Sequence, residues 1–297
     1  MQNIRKLPNF EYLEARTIQE ACTLLSQYAD RARIVAGGTD LIPRIKRREI
    51  IPEFLIGLDG IAGLDSITYS QADGLRFGPL TTLASIEASP VVRERFNVLY
   101  QAVHSMASSQ VRNLGTVGGN LCNAAPSADT APALIAMGAW LKLVAPGSER
   151  TIPVEQFFTG PSQTVLRRGE ILAEIQIPYS SLCTSGVYIK HTIRQAMDLA
   201  IVGVAVALTM RDGICQDARI ALGAVAPTPV RAIEAEALLR GKSKDDRLLR
   251  AAAKEAAQEC HPISDIRSSA EYRREMVEIL TRRALEQSWD RCLSAGA

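Results

Sequence analysis

Several features that would place the chain in a specialised class are scarce or missing. Aromatic residues make up only 5 % of the 297 residues, which argues against stacking platforms for single-stranded nucleic acid. The 34 basic and 32 acidic residues nearly cancel to a net charge of +2, so neither nucleic acid nor an anionic membrane is indicated as a partner. The longest apolar stretch, residues 199–210, is too short to span a bilayer. With no apolar h-region at the amino terminus, we expect no membrane insertion and no secretory signal.

Cysteine spacing excludes the common metal sites. The six cysteines are widely scattered, and no Cys-x-x-Cys pair occurs. Cys260 has His261 as a neighbour, but two ligands are too few for a structural zinc or an iron–sulfur cluster. We therefore expect free thiols, a reducing cytoplasmic location and no metal site.

Glycine, by contrast, is concentrated in residues 111–129, which read VRNLGTVGGNLCNAAPSAD. Gly115, Gly118 and Gly119 lie close together, with the hydroxyl residue Thr116 among them. Glycine allows another molecule to approach the backbone, and successive exposed N–H groups form a nest that attracts anions. The stretch is interpreted as half of a pocket for a phosphate-bearing cofactor. A tight turn between two core elements is an equally good interpretation.

A second glycine turn follows a predicted strand. Residues 32–36 (ARIVA) are typical of a short buried strand and run directly into residues 37–40 (GGTD). A helix over residues 17–28 precedes it and another strand over 53–58 follows, which predicts a small parallel α/β unit. Ligands bind at the carboxyl ends of strands in such units. Asp40 is interpreted either as a ligand or, more simply, as the N-cap of the next helix.

The whole pattern predicts an α+β fold. A parallel α/β subdomain over about residues 1–58 is followed by a mixed antiparallel sheet with helices over about 59–179. A boundary near residue 179 then leads to a carboxyl-terminal domain, 180–297, of antiparallel strands and a helical bundle. Its first helix is predicted over residues 230–239.

The order of the motifs resembles one family over nearly the whole chain. The matching segments are IVAGGTDL, QVRNLGTVGGN with PSAD shortly after it, YIKHTIRQAMDLAIV and DIRSSAEYRREMV. They resemble the FAD-binding medium subunit of the molybdenum hydroxylases, which includes the carbon monoxide dehydrogenase medium subunit and the xanthine dehydrogenase FAD-binding subunit. The resemblance implies that residues 1–179 are a FAD-binding domain. It also implies an FAD-dependent oxidoreductase subunit.

The resemblance implies a set of cofactor-binding residues and no catalytic residue. The first loop would wrap the FAD pyrophosphate, and the second, with its Thr116 hydroxyl, would meet the phosphates and the ribityl chain. The implied residues are Arg33, Ile34, Val35, Ala36, Gly37, Gly38, Thr39, Asp40, Met106, Gly115, Thr116, Val117, Gly118, Gly119, Asn120, Asp129, Leu172 and Lys190.

Three of these residues carry specific expectations. Asp129 matches an acid at the adenosine end, although it could also cap the following helix. Lys190 matches a lysine beside the isoalloxazine, where a cation would favour the reduced, anionic flavin; the alternative is a strand lysine paired with an acid such as Asp198. Met106 stands where xanthine dehydrogenases carry an aromatic residue, so aromatic stacking on the flavin is not expected there.

The resemblance also implies partners. A large molybdopterin-containing subunit would hydroxylate the substrate, and a small subunit with 2Fe–2S clusters would pass electrons to this FAD and on to an external acceptor. A dimer of heterotrimers is expected. Residues 60–111 contain no cysteine, so the 4Fe–4S insertion of one family variant should be absent. Two alternatives remain: a self-sufficient FAD-dependent oxidoreductase on the same scaffold, and a nucleotide-binding or assembly module without flavin.

Overall fold

A small parallel sheet opens the fold. The computed structural model describes residues 6–180, 183–194 and 197–295. The first strands pair in the order β1-β3-β2, all parallel, and comprise β1 (Glu11–Glu14), β2 (Ala32–Val35) and β3 (Phe54–Gly57). The connecting helices are α1 (Ile18–Tyr28) and α2 (Leu41–Lys46). Thr17 caps α1 by accepting from the Glu20 amide at 3.1 Å. The predicted parallel unit is confirmed.

The second unit is an antiparallel sheet covered by short helices. Its strand order is β4-β5-β10-β6-β7, with a separate β8–β9 hairpin. The strands are β4 (Ile67–Ser70), β5 (Gly74–Phe77), β6 (Trp140–Ala145), β7 (Ser148–Pro153), β8 (Phe158–Gly160), β9 (Gln163–Thr164) and β10 (Ile171–Ile177). The helices are α3 (Leu83–Ala88), α4 (Pro90–Arg95), α5 (Asn97–His104), α6 (Ser109–Leu114), α7 (Val117–Asn123) and α8 (Thr130–Ala136).

The carboxyl-terminal unit is an antiparallel meander with helices. Its strands pair in sequence order and are β11 (Cys183–His191), β12 (Val202–Arg211), β13 (Ile214–Gly223) and β14 (Val230–Arg231). The helices are α9 (Ile233–Leu239), α10 (Asp246–Gln258) and α11 (Ala270–Ala295). The helix predicted from residue 230 was wrong at its start, because Val230 and Arg231 pair with β13. The predicted α+β class is confirmed.

One face of the carboxyl-terminal sheet packs into the hydrophobic core of the second unit, while the rest of the carboxyl-terminal unit has a core of its own. Tyr188, Ala205 and Ala221 of the carboxyl-terminal sheet belong to the same buried cluster as the helices of the second unit. The Tyr188 amide donates to the Gln101 side chain of α5 at 2.8 Å. This packing brings the end of β11 beside α5, where the site described below is found. In the part of the chain that is described, no helix has the length and apolarity needed to cross a membrane.

Candidate cofactor-binding cleft

A cleft of about 1040 Å³ is lined by residues from all three units. Its volume is at the upper end of small-molecule pockets, which run from about 300 to 1000 Å³, so it suits a ligand of dinucleotide size. Val35 and Val117 do not line it. The residues of the implied set that do are Arg33, Ile34, Ala36, Gly37, Gly38, Thr39, Asp40, Met106, Gly115, Thr116, Gly118, Gly119, Asn120, Asp129, Leu172 and Lys190.

The two glycine loops touch each other at one side of this cleft. A Cβ placed on Gly37 would lie 1.7 Å from the Leu114 carbonyl oxygen. A Cβ on Gly115 would lie 3.5 Å from the Thr39 hydroxyl. Position 37 therefore requires glycine, because any side chain would push the loops apart.

The first loop presents unused hydrogen-bond donors. Among the described residues, the backbone amides of residues 37–41 have no hydrogen-bond partner, whereas the next amide, that of Ile42, donates to the Gly38 carbonyl. Gly38 adopts a φ of +68°, a conformation that turns the chain sharply at the strand end. Consecutive unpaired amides at such a turn bind anions. This loop therefore fits the diphosphate of a dinucleotide.

The second loop differs from its prediction, because the amides of residues 117–120 are already paired. The Val117 amide donates to the Thr81 carbonyl at 3.0 Å, and that of Gly118 to the Pro79 carbonyl at 2.9 Å. The Gly119 amide donates to the Thr116 hydroxyl at 3.0 Å. The nest predicted for this loop was therefore wrong. Its glycine at 118 serves close packing instead, since a Cβ there would lie 2.4 Å from the Pro79 ring.

Thr116 still offers the cleft a hydroxyl proton. The residue caps α7, and its side-chain oxygen accepts the Gly119 amide. The hydroxyl can therefore donate its own hydrogen to an acceptor in the cleft. Asn120 is held in place by the Thr130 hydroxyl, which donates to its side-chain oxygen at 2.5 Å.

A buried ion pair also lines the cleft. The Lys190 ammonium lies 2.9 Å from Asp129 Oδ2, and the side chains are 7 % and 6 % exposed. The Tyr188 hydroxyl donates to Asp129 Oδ1 at 2.6 Å. Burial raises the pKa of Asp129, and Lys190 offsets this only in part. The pKa of Tyr188 is well above its usual value because the ring is buried beside this carboxylate.

This pair corrects three expectations. Asp129 occupies the N-cap position of α8, but its side chain makes no capping hydrogen bond. Lys190 is a strand lysine paired with an acid, as the alternative had it, but the acid is Asp129, and Asp198 accepts the amides of Ile193 and Arg194 instead. Because Asp129 and Lys190 are in contact, they cannot mark the adenosine and isoalloxazine ends of an extended FAD.

Asp40 corrects a fourth expectation, namely that its side chain caps α2. It occupies the N-cap position of α2 by backbone, but its carboxylate makes no capping hydrogen bond. The carboxylate is exposed at the edge of the cleft. The interpretation of Asp40 as a helix cap therefore applies to its backbone position alone.

Sequence reasoning missed Tyr188 and Arg112 as parts of the site. Tyr188 and Lys190 alternate along β11, so their side chains point to the same face, and this spacing was the available signal. Arg112 donates to the Met106 carbonyl in the cleft wall at 2.7 Å. No sequence pattern indicated that contact, which joins α6 to the residues after α5.

Comparison with known proteins shows which family the chain belongs to. The model of the FAD binding domain in molybdopterin dehydrogenase matches residues 8–180, and that of the CO dehydrogenase flavoprotein C-terminal domain matches residues 187–288. The chain is 34% identical over 285 residues to the carbon monoxide dehydrogenase medium chain of Hydrogenophaga pseudoflava, covering 96% of this chain and 99% of that one. It is 32% identical over 280 residues to the glyceraldehyde dehydrogenase medium chain of Sulfolobus acidocaldarius, covering 94% and 98%.

A solved structure shows the same fold. Carbon monoxide dehydrogenase from Hydrogenophaga pseudoflava, in a form lacking the Mo-pyranopterin moiety, superposes with a TM-score of 0.93 at 35% identity, covering 97% of this chain and all of that chain. The unused amides at residues 37–41 and the size of the cleft fit the cofactor named by the family. The chain belongs to the FAD-binding medium subunits of the molybdenum hydroxylases, of the carbon monoxide dehydrogenase and xanthine dehydrogenase type, and FAD is its cofactor.

Proposed function

We propose that this chain is an electron-transfer subunit. It passes electrons from the 2Fe–2S clusters of a small partner subunit through FAD to an external acceptor, while a large molybdopterin-containing subunit oxidises the substrate. The observation that carries the proposal is the cleft, which joins a row of unused amides to a buried ion pair in one cavity. Bound FAD supplies the exchange between one-electron and two-electron transfer.

The first loop would hold the diphosphate. The amides of residues 37–41 are the only consecutive donors in either loop that no other described residue uses. Backbone dipoles at this turn would supply positive potential for the diphosphate. The Thr116 hydroxyl, on the loop that touches the first, would donate to an adjacent oxygen of the cofactor.

Other residues that line the cleft would orient the remainder of the cofactor. Met106 and Leu172 present apolar side chains that are 8 % and 3 % exposed, and these exclude water from one side. Lys190 and Asp129 form a pair whose charges cancel. The wall therefore supplies a fixed dipole rather than a lone cation, which changes the role expected for Lys190.

The partners belong to the proposal. Two of the relatives are named medium chains, a term that fits a complex with a larger and a smaller chain. We expect a dimer of heterotrimers, with the substrate bound by the large subunit.

The test starts with the purified chain. We expect a visible flavin spectrum, released by denaturation and identified as FAD by its mass. Purification of the native complex should then yield one larger and one smaller chain, with molybdenum and iron. A colourless chain that does not take up added FAD contradicts the proposal and favours an assembly module. A flavoprotein that turns over a substrate without companions favours the self-sufficient oxidoreductase.

A further inference from the structure

One short segment of the cleft wall, residues 105–107, is held from two sides. Met106 and Ala107 line the cleft and follow the end of α5. The Lys190 ammonium donates to the Ser105 carbonyl at 3.1 Å. Arg112 Nη1 donates to the Met106 carbonyl at 2.7 Å. Carbonyl groups at a helix carboxyl end lack intrahelical partners, and here two cations satisfy them.

The segment contains a backbone conformation that needs support. Ala107 has a φ of +47°, in the left-handed region that residues with a Cβ adopt unfavourably. Such a conformation persists only when its surroundings impose it. The Met106 carbonyl belongs to the peptide that enters Ala107, so the bond from Arg112 acts directly on this turn.

Arg112 is itself fixed by Glu87 of α3. Its Nε lies 2.7 Å from one carboxylate oxygen of Glu87, and its Nη2 lies 3.3 Å from the other. The two side chains are 13 % and 22 % exposed. His104 contacts the same carboxylate through Nδ1 at 2.7 Å. The planar guanidinium therefore binds Glu87 through Nε and Nη2 and the Met106 carbonyl through its third nitrogen, Nη1, a geometry that a lysine cannot reproduce.

We propose that Arg112 is a positioning residue of the cofactor cleft. Its guanidinium, oriented by Glu87, holds the Met106 carbonyl and with it the left-handed turn at Ala107, so that this part of the wall is already formed before the cofactor binds. Preformed binding surfaces bind more tightly because less ordering accompanies binding. The inference rests on the proposed function in one respect, namely that the cleft binds FAD.

The test measures FAD affinity in the full chain after removal of bound flavin. Arg112→Met should weaken FAD binding about tenfold, the effect expected for one charge-assisted hydrogen bond. Arg112→Lys should restore only part of the affinity. Adding Ala107→Gly to Arg112→Met should recover most of it, because glycine adopts the left-handed conformation without support. Arg250→Met is the matched control, since Arg250 forms an exposed pair with Asp246 on α10.

A spectroscopic readout separates positioning from general destabilisation. With methyl-labelled methionine, the Met106 methyl signal should be single in the parent chain and shift when FAD binds. It should broaden or split in Arg112→Met and become single again with Ala107→Gly. If Arg112→Met does not fold, Arg112→Lys with and without Ala107→Gly gives the same comparison.

The outcomes distinguish the two proposals. A parent chain that binds no FAD contradicts the proposed function. A parent chain that binds FAD, with an Arg112→Met variant within about twofold of its affinity, overturns the positioning role. Failure of Ala107→Gly to restore the affinity overturns it as well, because the turn would then not be what Arg112 supports.

Discussion

The ammonium nitrogen of Lys190 and a carboxylate oxygen of Asp129 lie 2.9 Å apart, and the pair is almost fully buried. The two residues are 61 positions apart in sequence and come from different units of the fold. Because their charges cancel, neither residue acts alone on a bound cofactor. The first two predictions concern this pair.

Removing one partner should cost more stability than removing both. Lys190→Met leaves a buried carboxylate without its cation, which we expect to lower the free energy of unfolding by about 3 kcal/mol. The double variant Lys190→Met with Asp129→Asn should lose less. Urea unfolding of the flavin-free chain measures both. The exposed pair of Arg250 and Asp246 is the control, because Arg250→Met should cost at most about 1 kcal/mol. Equal losses in the single and double variants would contradict coupling.

The same pair should set the flavin potential in opposite directions. Asp129→Asn leaves Lys190 uncompensated, so the reduced, anionic flavin is favoured and the midpoint potential should rise. A tenfold change in the two-electron equilibrium corresponds to about 30 mV, which is the scale expected. Lys190→Met should lower the potential, because the Asp129 carboxylate is then uncompensated and disfavours the anionic flavin. Redox titration with reference dyes measures each. A fall in Asp129→Asn would show that the pair does not act on the flavin electrostatically.

Gly37→Ala tests the contact between the two loops. The new methyl group would lie 1.7 Å from the Leu114 carbonyl oxygen, so the loops must separate and the row of amides must move. We expect FAD affinity to fall about a hundredfold, as for the loss of several hydrogen bonds to an anion. Gly147→Ala is the control: alanine is strained there by a φ of +74°, but no atom lies within 4 Å of a Cβ and the residue does not line the cleft, so FAD affinity should not change. Fluorescence titration with FAD measures both variants. Unchanged affinity in Gly37→Ala would argue that the amides are not the diphosphate site.

Glu170 should make stability depend on acid pH. Hydrogen bonds from Arg150 hold the pKa of this carboxyl below its usual value, although burial opposes them. A lowered folded-state pKa gives stability that is complete above the unfolded value of about 4.3 and is lost as pH falls through the folded value. Glu170→Gln should therefore be about 2 kcal/mol less stable at pH 7. The difference should shrink below about pH 4. Thermal unfolding across pH measures it, and a constant difference would contradict this assignment.

The sequence predicted the local elements well because their causes are local. The helix predicted over residues 17–28 is α1, which Thr17 caps, and the strand before residues 37–40 was found from its apolar run. Placement of the loops against each other was also implied, but only through the family resemblance. No periodicity predicts that the Leu114 carbonyl occupies the space beside Gly37.

The contacts that the sequence could not predict are hydrogen bonds between segments that are far apart in the chain. The amides of Val117 and Gly118 looked available, yet the carbonyls of Thr81 and Pro79 accept them. Arg273 lies among charged residues near the start of α11, a pattern typical of a solvated helix face. Its guanidinium is in fact buried and donates to the carbonyl of Ala224 and to Asp265. In each case the partner lies on another element, so local pattern carried no information about it.

Because both halves of the chain contribute to one wall of the cleft, they cannot be exchanged independently with the halves of a relative. Asp129 lies within the span of one family model, while Tyr188 and Lys190 lie within the span of the other. A chimera that joins this amino-terminal half to a foreign carboxyl-terminal half keeps Asp129 both compensated and hydrogen-bonded only if the donor supplies a lysine and a tyrosine in the same register. The two halves therefore build one buried wall of the cleft together, although each is matched by a separate family model.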